Sequence, residues 1–266
     1  MVPMKSSEQS PKTARIVAIA NQKGGVAKTT SVASLGSALA ELGQRVLLVD
    51  LDPQACLTFS LGIDPEHLET SVHHVITQGI DPREAMVTTE DAVDLLPATI
   101  ELARAEADLL TRTGREYVIR AALASLDEYD WVLLDCPPSL GVLTVAALTA
   151  ASGVIIPLQC ETLSHRGVGQ LLDTVHDVRR FTNPTLEVWG VLPTIYDGRT
   201  NHAKAVLENI SQTYELDILQ PPIPKSIRFA EAPAVGRSIL ATTSNSKGAQ
   251  AYRAVAKTLL ERPLDY

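Results

Sequence analysis

The sequence predicts an α/β protein built on a mostly parallel, doubly wound sheet with helices on both faces. Three observations carry that expectation. Short runs of Val, Ile and Leu recur along the chain, each followed by a longer segment with helical spacing, which is the alternation of βαβ units. Several of these runs are apolar at nearly every position, as central parallel strands covered on both sides must be. The aromatic share is only 4% within a 45% apolar composition, so aliphatic side chains must fill the core.

Strands are expected at residues 15–20, 45–50, 93–97, 131–135, 153–158, 187–194 and 217–219. Helices are expected at 29–42, 140–151, 166–181, 200–214 and 246–262, with Gly43 stopping the first and Pro263 closing the last. The segment 62–117 reads as an insertion of short helices punctuated by Asp64-Pro65 and Asp81-Pro82. A chain of 266 residues is accommodated by one domain, here 15–266, preceded by a polar, unordered tail over 1–14.

Charge and cysteine usage exclude several function classes. A formal charge of −8 argues against wholesale attraction to nucleic acid or anionic lipid, so any DNA contact must be a local patch. Cys56, Cys136 and Cys160 form no C-x-x-C pair, which leaves neither a zinc site nor a redox pair. No leader-like stretch and no run of eighteen apolar residues occurs, and a cytoplasmic, reduced protein is expected. His73-His74 has no metal-ligand spacing to other candidates and is read as surface or core.

The first expected strand runs into Asn21-Gln22-Lys23-Gly24-Gly25-Val26-Ala27-Lys28-Thr29-Thr30 and then into a helix of small apolar residues. That context suits a phosphate cradle. Glycines let backbone N–H groups turn toward an anion, the helix N-terminus adds unpaired donors, Lys28 adds charge and Thr29 offers a hydroxyl to Mg²⁺. The strict G-x-x-x-x-G-K-[ST] pattern fails at Gln22 and Ala27; a second lysine, Lys23, stands at the start of the loop instead.

Two further segments end in carboxylates. Val49-Asp50-Leu51-Asp52-Pro53-Gln54 places two carboxylates one residue apart, on one face of a strand. Trp131-Val132-Leu133-Leu134-Asp135 is an apolar strand ending in Asp, the way a Walker B carboxylate is presented to Mg²⁺. Near the C-terminus, Lys225, Arg228, Arg237 and Lys247 with Arg199 and Lys204 form either a candidate patch for DNA phosphates or an ordinary solvated surface.

Lys23, Gly24, Gly25, Lys28, Thr29 and Thr30 match the K-G-G-x-x-K-[ST]-T signature, so the chain resembles the ParA/Soj/MinD class of deviant Walker A P-loop ATPases, nearest the ParA/Soj partition branch. The D-x-D-P-Q run at Asp50–Gln54, the D-x-P-P run from Asp135 and the Asp197-Gly198-Arg199-Thr200 turn follow the same pattern. The resemblance implies ATP and Mg²⁺ held by Lys23, Gly24, Gly25, Val26, Ala27, Lys28, Thr29 and Thr30, with Pro224 and Ser226 against adenine. It implies that Lys23 reaches across an ATP-bound homodimer to the partner's nucleotide. Lys28 stabilises the transferred phosphoryl, Asp52 positions the attacking water, and Thr29 and Asp135 serve the metal. Asp50 either helps with Mg²⁺ or anchors the switch loop.

The resemblance further implies slow ATP hydrolysis, non-specific nucleoid DNA as the surface bound, and a ParB-like stimulating partner, with the N-terminal tail a candidate element for it. Ala27 departs from the family's glycine and would cost on the order of 1 kcal/mol at positive φ. Ser226 departs from a frequent Asn. The rival readings are a membrane-surface ATPase of the MinD type, anchored by a basic C-terminal helix, and a scaffold or metallocluster carrier using Cys136.

Overall fold

The computed structural model describes residues 14–161 and 164–263; the expected tail lies almost wholly outside them. The chain begins with β1 (Arg15–Ile19), α1 (Lys28–Glu41), β2 (Val46–Asp50) and the short α2 (Cys56–Ser60). The segment read as an insertion contributes α3 (Val72–Gln78), α4 (Pro82–Ala85), β3 (Val87–Thr88), β4 (Asp94–Leu96), α5 (Leu102–Leu109) and α6 (Val118–Leu123). The second half alternates β5 (Trp131–Asp135), α7 (Val142–Ala150), β6 (Gly153–Gln159), α8 (Ser164–Phe181), β7 (Glu187–Thr194) and α9 (Asn201–Tyr214). It ends with α10 (Arg228–Glu231), α11 (Ile239–Thr242) and α12 (Lys247–Glu261).

The strands form one seven-stranded sheet in the order β3-β4-β2-β5-β1-β6-β7, parallel throughout except for β3. Side chains alternate across a strand, so each strand feeds two cores. Val17, Ile19, Leu48, Leu133 and Ile155 pack under α1 and α12, while Ala18, Leu47, Val49, Val132, Leu134 and Ile156 pack under α5, α7 and α8. This division explains the nearly unbroken apolar runs: both faces of β2 and β5 are buried at every position. Helix α1 approaches β2 closely because Gly36 lacks a side chain; a Cβ there would meet Leu48 Cδ2 at 2.6 Å.

Two strand expectations are corrected. Residues 217–219 add only a parallel bridge, Val191 to Ile218, and the chain then meets Pro221 and Pro222, which have no N–H for a ladder. The seventh strand is instead Val87–Thr88, antiparallel to β4 and too short for any periodicity to reveal.

Helix α12 packs against α1 with Tyr252, Val255, Ala256 and Leu259 buried. Tyr252 Oη and Ser31 Oγ are 3.0 Å apart, pinning the first turn of α1. The apolar face that a membrane anchor would need is therefore already used in the core. No helix among the described residues is long and apolar enough to cross a membrane.

The turn from β1 into α1 uses left-handed backbone at Gly25 (φ 73°) and at Ala27 (φ 62°), the N-cap of α1. Glycine takes this conformation without strain, whereas alanine costs roughly 1–2 kcal/mol. Ala27→Gly is therefore expected to raise unfolding stability by up to about 1 kcal/mol in urea titration, the gain being trimmed by glycine's larger unfolded-state entropy. A loss of that size would contradict the strain assigned to Ala27.

Candidate active site at the carboxyl edge of the sheet

In the ladder, Ile19 on β1 and Asp50 on β2 both stand opposite Asp135 on β5. The three strands thus end level, with the 20–27 loop rising from β1 beside β5. Two side chains, one in the loop and one on β7, tie that loop to the sheet. Asn21 donates to Pro157 O (2.7 Å) and accepts the Lys23 N–H (3.0 Å), while Thr194 Oγ1 donates to Val26 O (2.9 Å). Both anchors are buried and neither was singled out by motif.

Beside the loop lies a cavity of about 500 Å³, within the range of small-ligand sites. Gly24, Gly25, Ala27, Lys28, Thr29 and Thr30 line it together with Asp52. Pro224 and Ser226, expected against a base, line it together with Ile223, Phe229 and Tyr252. Phe229 meets Tyr252 edge to face at 5.9 Å, giving the cavity an aromatic end that sequence reading missed. The segment carrying these residues is tied to the sheet by Tyr196 N donating to Ile223 O and Lys225 N donating to Tyr196 O.

Lys28 is only 7% exposed, and its Nζ donates to Lys23 O at 3.2 Å. Burial lowers its pKa, an effect opposed by the charges of Asp135, Cys136 and Asp52. Of the loop residues expected to hold nucleotide, Lys23 and Val26 are not among those lining the cavity. They border an adjoining groove with Asn21, Ser164 and Arg166; Val26 is buried and Lys23 Nζ is ion-paired to Glu161.

The carboxylates divide by environment. Asp50 is completely buried, and its oxygens accept from Asp52 N (3.1 Å), Thr58 N (2.9 Å) and Thr58 Oγ1 (2.8 Å). Of the two roles left open for it, anchoring the loop is the one these bonds perform; burial still raises its pKa to about 6. β2 stops at Asp50, so Asp52 lies in the loop beyond the strand and strand alternation does not govern it. Its Oδ1 accepts the Gln54 N–H at 2.9 Å, and Oδ2 has no hydrogen bond among the described residues. Glu106 on α5 adds another carboxyl, its pKa raised by burial and then by Asp52.

Asp135 is different: it is completely buried and neither carboxylate oxygen has a hydrogen-bond partner among the described residues. Burial, then the Asp50 charge, push its pKa well up. Thr29 and Lys28 pull the other way, with the Thr29 hydroxyl near enough to be felt but outside full bonding geometry. A buried orphan carboxylate beside a hydroxyl fits a hard divalent cation such as Mg²⁺, for which oxygen ligands are preferred.

The expected DNA cations separate into three groups. Arg237 is corrected: its guanidinium is bonded to Asp91 and Glu90, tying the base-side segment to the β3–β4 turn. Arg199 and Arg228 are exposed but paired with Asp197 and Glu231. Lys204, Lys225 and Lys247 are exposed and make no salt bridge among the described residues. Cys136 is 1% exposed and burial pushes its thiol pKa up, so it does not present a thiolate to a cluster shared with another subunit.

The buried charge of Asp135 sets up a testable trade. Its raised folded-state pKa means the native chain holds a proton that the unfolded chain releases, so stability falls as pH rises from the ordinary carboxyl range toward neutrality. Asp135→Asn is expected to raise the ligand-free melting stability at pH 7.5 by on the order of 1 kcal/mol while abolishing the Mg²⁺ dependence of nucleotide binding. Equal melting of the two proteins would show that the carboxylate is not an isolated charge.

Comparison with known proteins agrees with this geometry. An AAA-domain family model matches residues 14–188. The chain is 42% identical over 245 residues to the sporulation initiation inhibitor protein Soj of Bacillus subtilis, covering 91% of this chain and 97% of that protein. It is 40% identical over 255 residues to the chromosome partitioning protein ParA of Caulobacter vibrioides, covering 94% and 96%. Among solved structures, cobyrinic acid a,c-diamide synthase from Mycobacterium smegmatis with bound ADP and magnesium superposes with a TM-score of 0.84 at 56% identity, covering 93% of this chain and 94% of that one. The same protein is also solved with an ATP analog and magnesium, again at 56% identity. By the family model and these relatives, matched over nearly their whole length, the chain belongs to the Soj and ParA family of deviant Walker A, AAA-domain ATPases.

Proposed function

We propose that the chain is an ATP-dependent, dimerising ATPase of chromosome or plasmid partition, cytoplasmic and carried on nucleoid DNA without sequence preference. Its turnover is slow alone and stimulated by a ParB-like partner. The observation that supports this reading most directly is the unequal placement of two lysines on one loop. Lys28 is buried in the cavity wall, where a phosphate of the chain's own nucleotide would sit, while Lys23 stands outside it, part-exposed and within reach of another subunit's ligand.

In hydrolysis, water attacks the γ-phosphorus of ATP, the bond to the bridging oxygen breaks with its electron pair going to ADP, and phosphate departs. Mg²⁺, held by Thr29 and Asp135, would offset charge on the phosphate oxygens. Lys28 stabilises charge on the transferring group, and the N–H groups of the loop cradle the phosphates. Asp52 Oδ2 is available to accept a hydrogen bond from the attacking water and orient it. Pro224, Ser226 and Phe229 enclose the base. For DNA, Lys204, Lys225 and Lys247 are the cations left unpaired; doubling them in a dimer would neutralise several phosphates and make binding salt-dependent.

The identity with the diamide synthase favours a second reading, ATP-driven amidation of a polycarboxylate. Releasing nitrogen from glutamine by nucleophilic attack needs a thiolate. All three cysteines are pushed the other way, Cys160 to about 11 and Cys56 and Cys136 upward by burial. Incubation with cobyrinic acid, ATP and either glutamine or ammonium, read by mass, separates the readings: a gain of amide groups would replace the partition proposal.

Two measurements bear on the main proposal. With ATP and Mg²⁺ at low salt, Asp52→Ala is expected to form a stable dimer that retains DNA of arbitrary sequence, while Lys23→Ala forms neither; a monomeric Asp52→Ala would sink the dimer reading. The Lys23–Glu161 pair holds the rim lysine in the monomer and must open before Lys23 can reach a partner. Since exposed pairs are worth about 0–1 kcal/mol, Glu161→Gln should lower the ATP concentration needed for dimerisation by up to about fivefold. Loss of dimerisation in that variant would instead place Glu161 among the contacts of the dimer.

A further inference from the structure

Sequence spacing offers His73 and His74 no third ligand, but the fold supplies one. The two histidines lie in the first turn of α3, and Glu101 immediately precedes α5. Each of the three side chains presents a ligand atom, and those atoms lie within 4.8 Å of one another. The imidazoles meet edge to face with centroids 4.8 Å apart.

The nitrogen facing Glu101 is unspent. His73 Nδ1 stands 3.4 Å from Glu101 Oε2, on a side chain only 15% exposed, yet it is buried without a hydrogen bond of proper geometry. Thr99, two residues before Glu101 and 7% exposed, also has a buried hydroxyl with no partner. Buried polar atoms are nearly always satisfied, so the orphan His73 nitrogen, set within the three-residue cluster, points to a polar ligand.

Two imidazoles and a carboxylate make a nitrogen-rich donor set that suits a borderline-soft divalent ion over Mg²⁺ or Ca²⁺. Burial, followed by the neighbouring His74, lowers the His73 pKa and so favours the neutral, ligating form at neutral pH. His74 Nδ1 accepts the Ser71 N–H at 3.2 Å. Coordination at that nitrogen would replace this bond. Coordination at Nε2 would move the ring proton to Nδ1, which also ends acceptance of the Ser71 N–H and leaves Ser71 Oγ, 3.5 Å away, as the acceptor nearby. Glu101 is 59% exposed, so its side chain is free to close the remaining distance.

We propose that His73, His74 and Glu101 bind a divalent transition-metal ion of the zinc class, clamping the start of α3 to the start of α5, apart from the nucleotide cavity. Zinc titration calorimetry on the full chain, with excess Mg²⁺ to occupy oxygen sites, should find one equivalent of Zn²⁺ and a higher melting temperature. His73→Ala should weaken binding at least about tenfold and remove the melting shift, and Glu101→Gln, at an exposed position that tolerates change, should weaken it about tenfold. His202→Ala, on exposed α9, should bind as wild type. Wild-type affinity weaker than about 1 mM, or undiminished affinity in Glu101→Gln, would overturn the site. Should His73→Ala not fold, Co²⁺ absorption of wild type against Glu101→Gln decides: imidazole-ligand bands altered by the variant support the site, and identical spectra refute it.

Discussion

Everything at the active edge depends on three parallel strands ending level. The ladder sets Asp135 opposite both Ile19 and Asp50. A register slip of one residue would turn the Asp135 side chain from the ligand edge toward the opposite face of the sheet. The two cores hold the register in place, because alternate side chains of each strand are committed to opposite helical layers. Packing thus fixes where charge can stand.

With the register fixed, the site stores its electrostatics in advance. Asp50 spends its lone pairs on the loop backbone and Thr58, which makes the Asp52 turn rigid. Asp135 spends none, and Lys28 is desolvated beside it. A preorganised arrangement of this kind costs stability in the empty chain and gains its return only when ligand charges arrive. The strained Ala27 belongs to the same pattern, since left-handed backbone there helps turn the loop into the cradle.

The base side of the cavity is supported from a distance. Arg237 joins the segment after α10 to Asp91 in the β3–β4 turn, and Ser238 N donates to the same carboxylate at 2.7 Å. The short antiparallel strand at the sheet edge therefore holds the far wall of the nucleotide cavity, although no motif marks it. This also explains why counting cations overestimates a DNA face. Arg237 was one of four in its stretch, and its charge is consumed internally.

The parallel α/β architecture, the cradle with its two lysines and the strand-end carboxylates were legible in the chain because each is local. Hydrophobic period, glycine placement and the residue that ends a strand are all encoded within about ten residues. The Asn21 and Thr194 anchors, the Glu161 partner of Lys23, the aromatic end made by Phe229 and Tyr252, and the meeting of His73, His74 and Glu101 were not legible. Each joins residues far apart in sequence, or uses a side chain whose type is common everywhere, so neither spacing nor composition marks it. Even for Asp50 and Asp135, both apolar-strand carboxylates to the eye, folding alone made one an anchor and left the oxygens of the other without a hydrogen-bond partner among the described residues. The difference lies in their neighbours: Asp50 accepts from Thr58 and from the Asp52 N–H, and Asp135 has no such partner among the described residues.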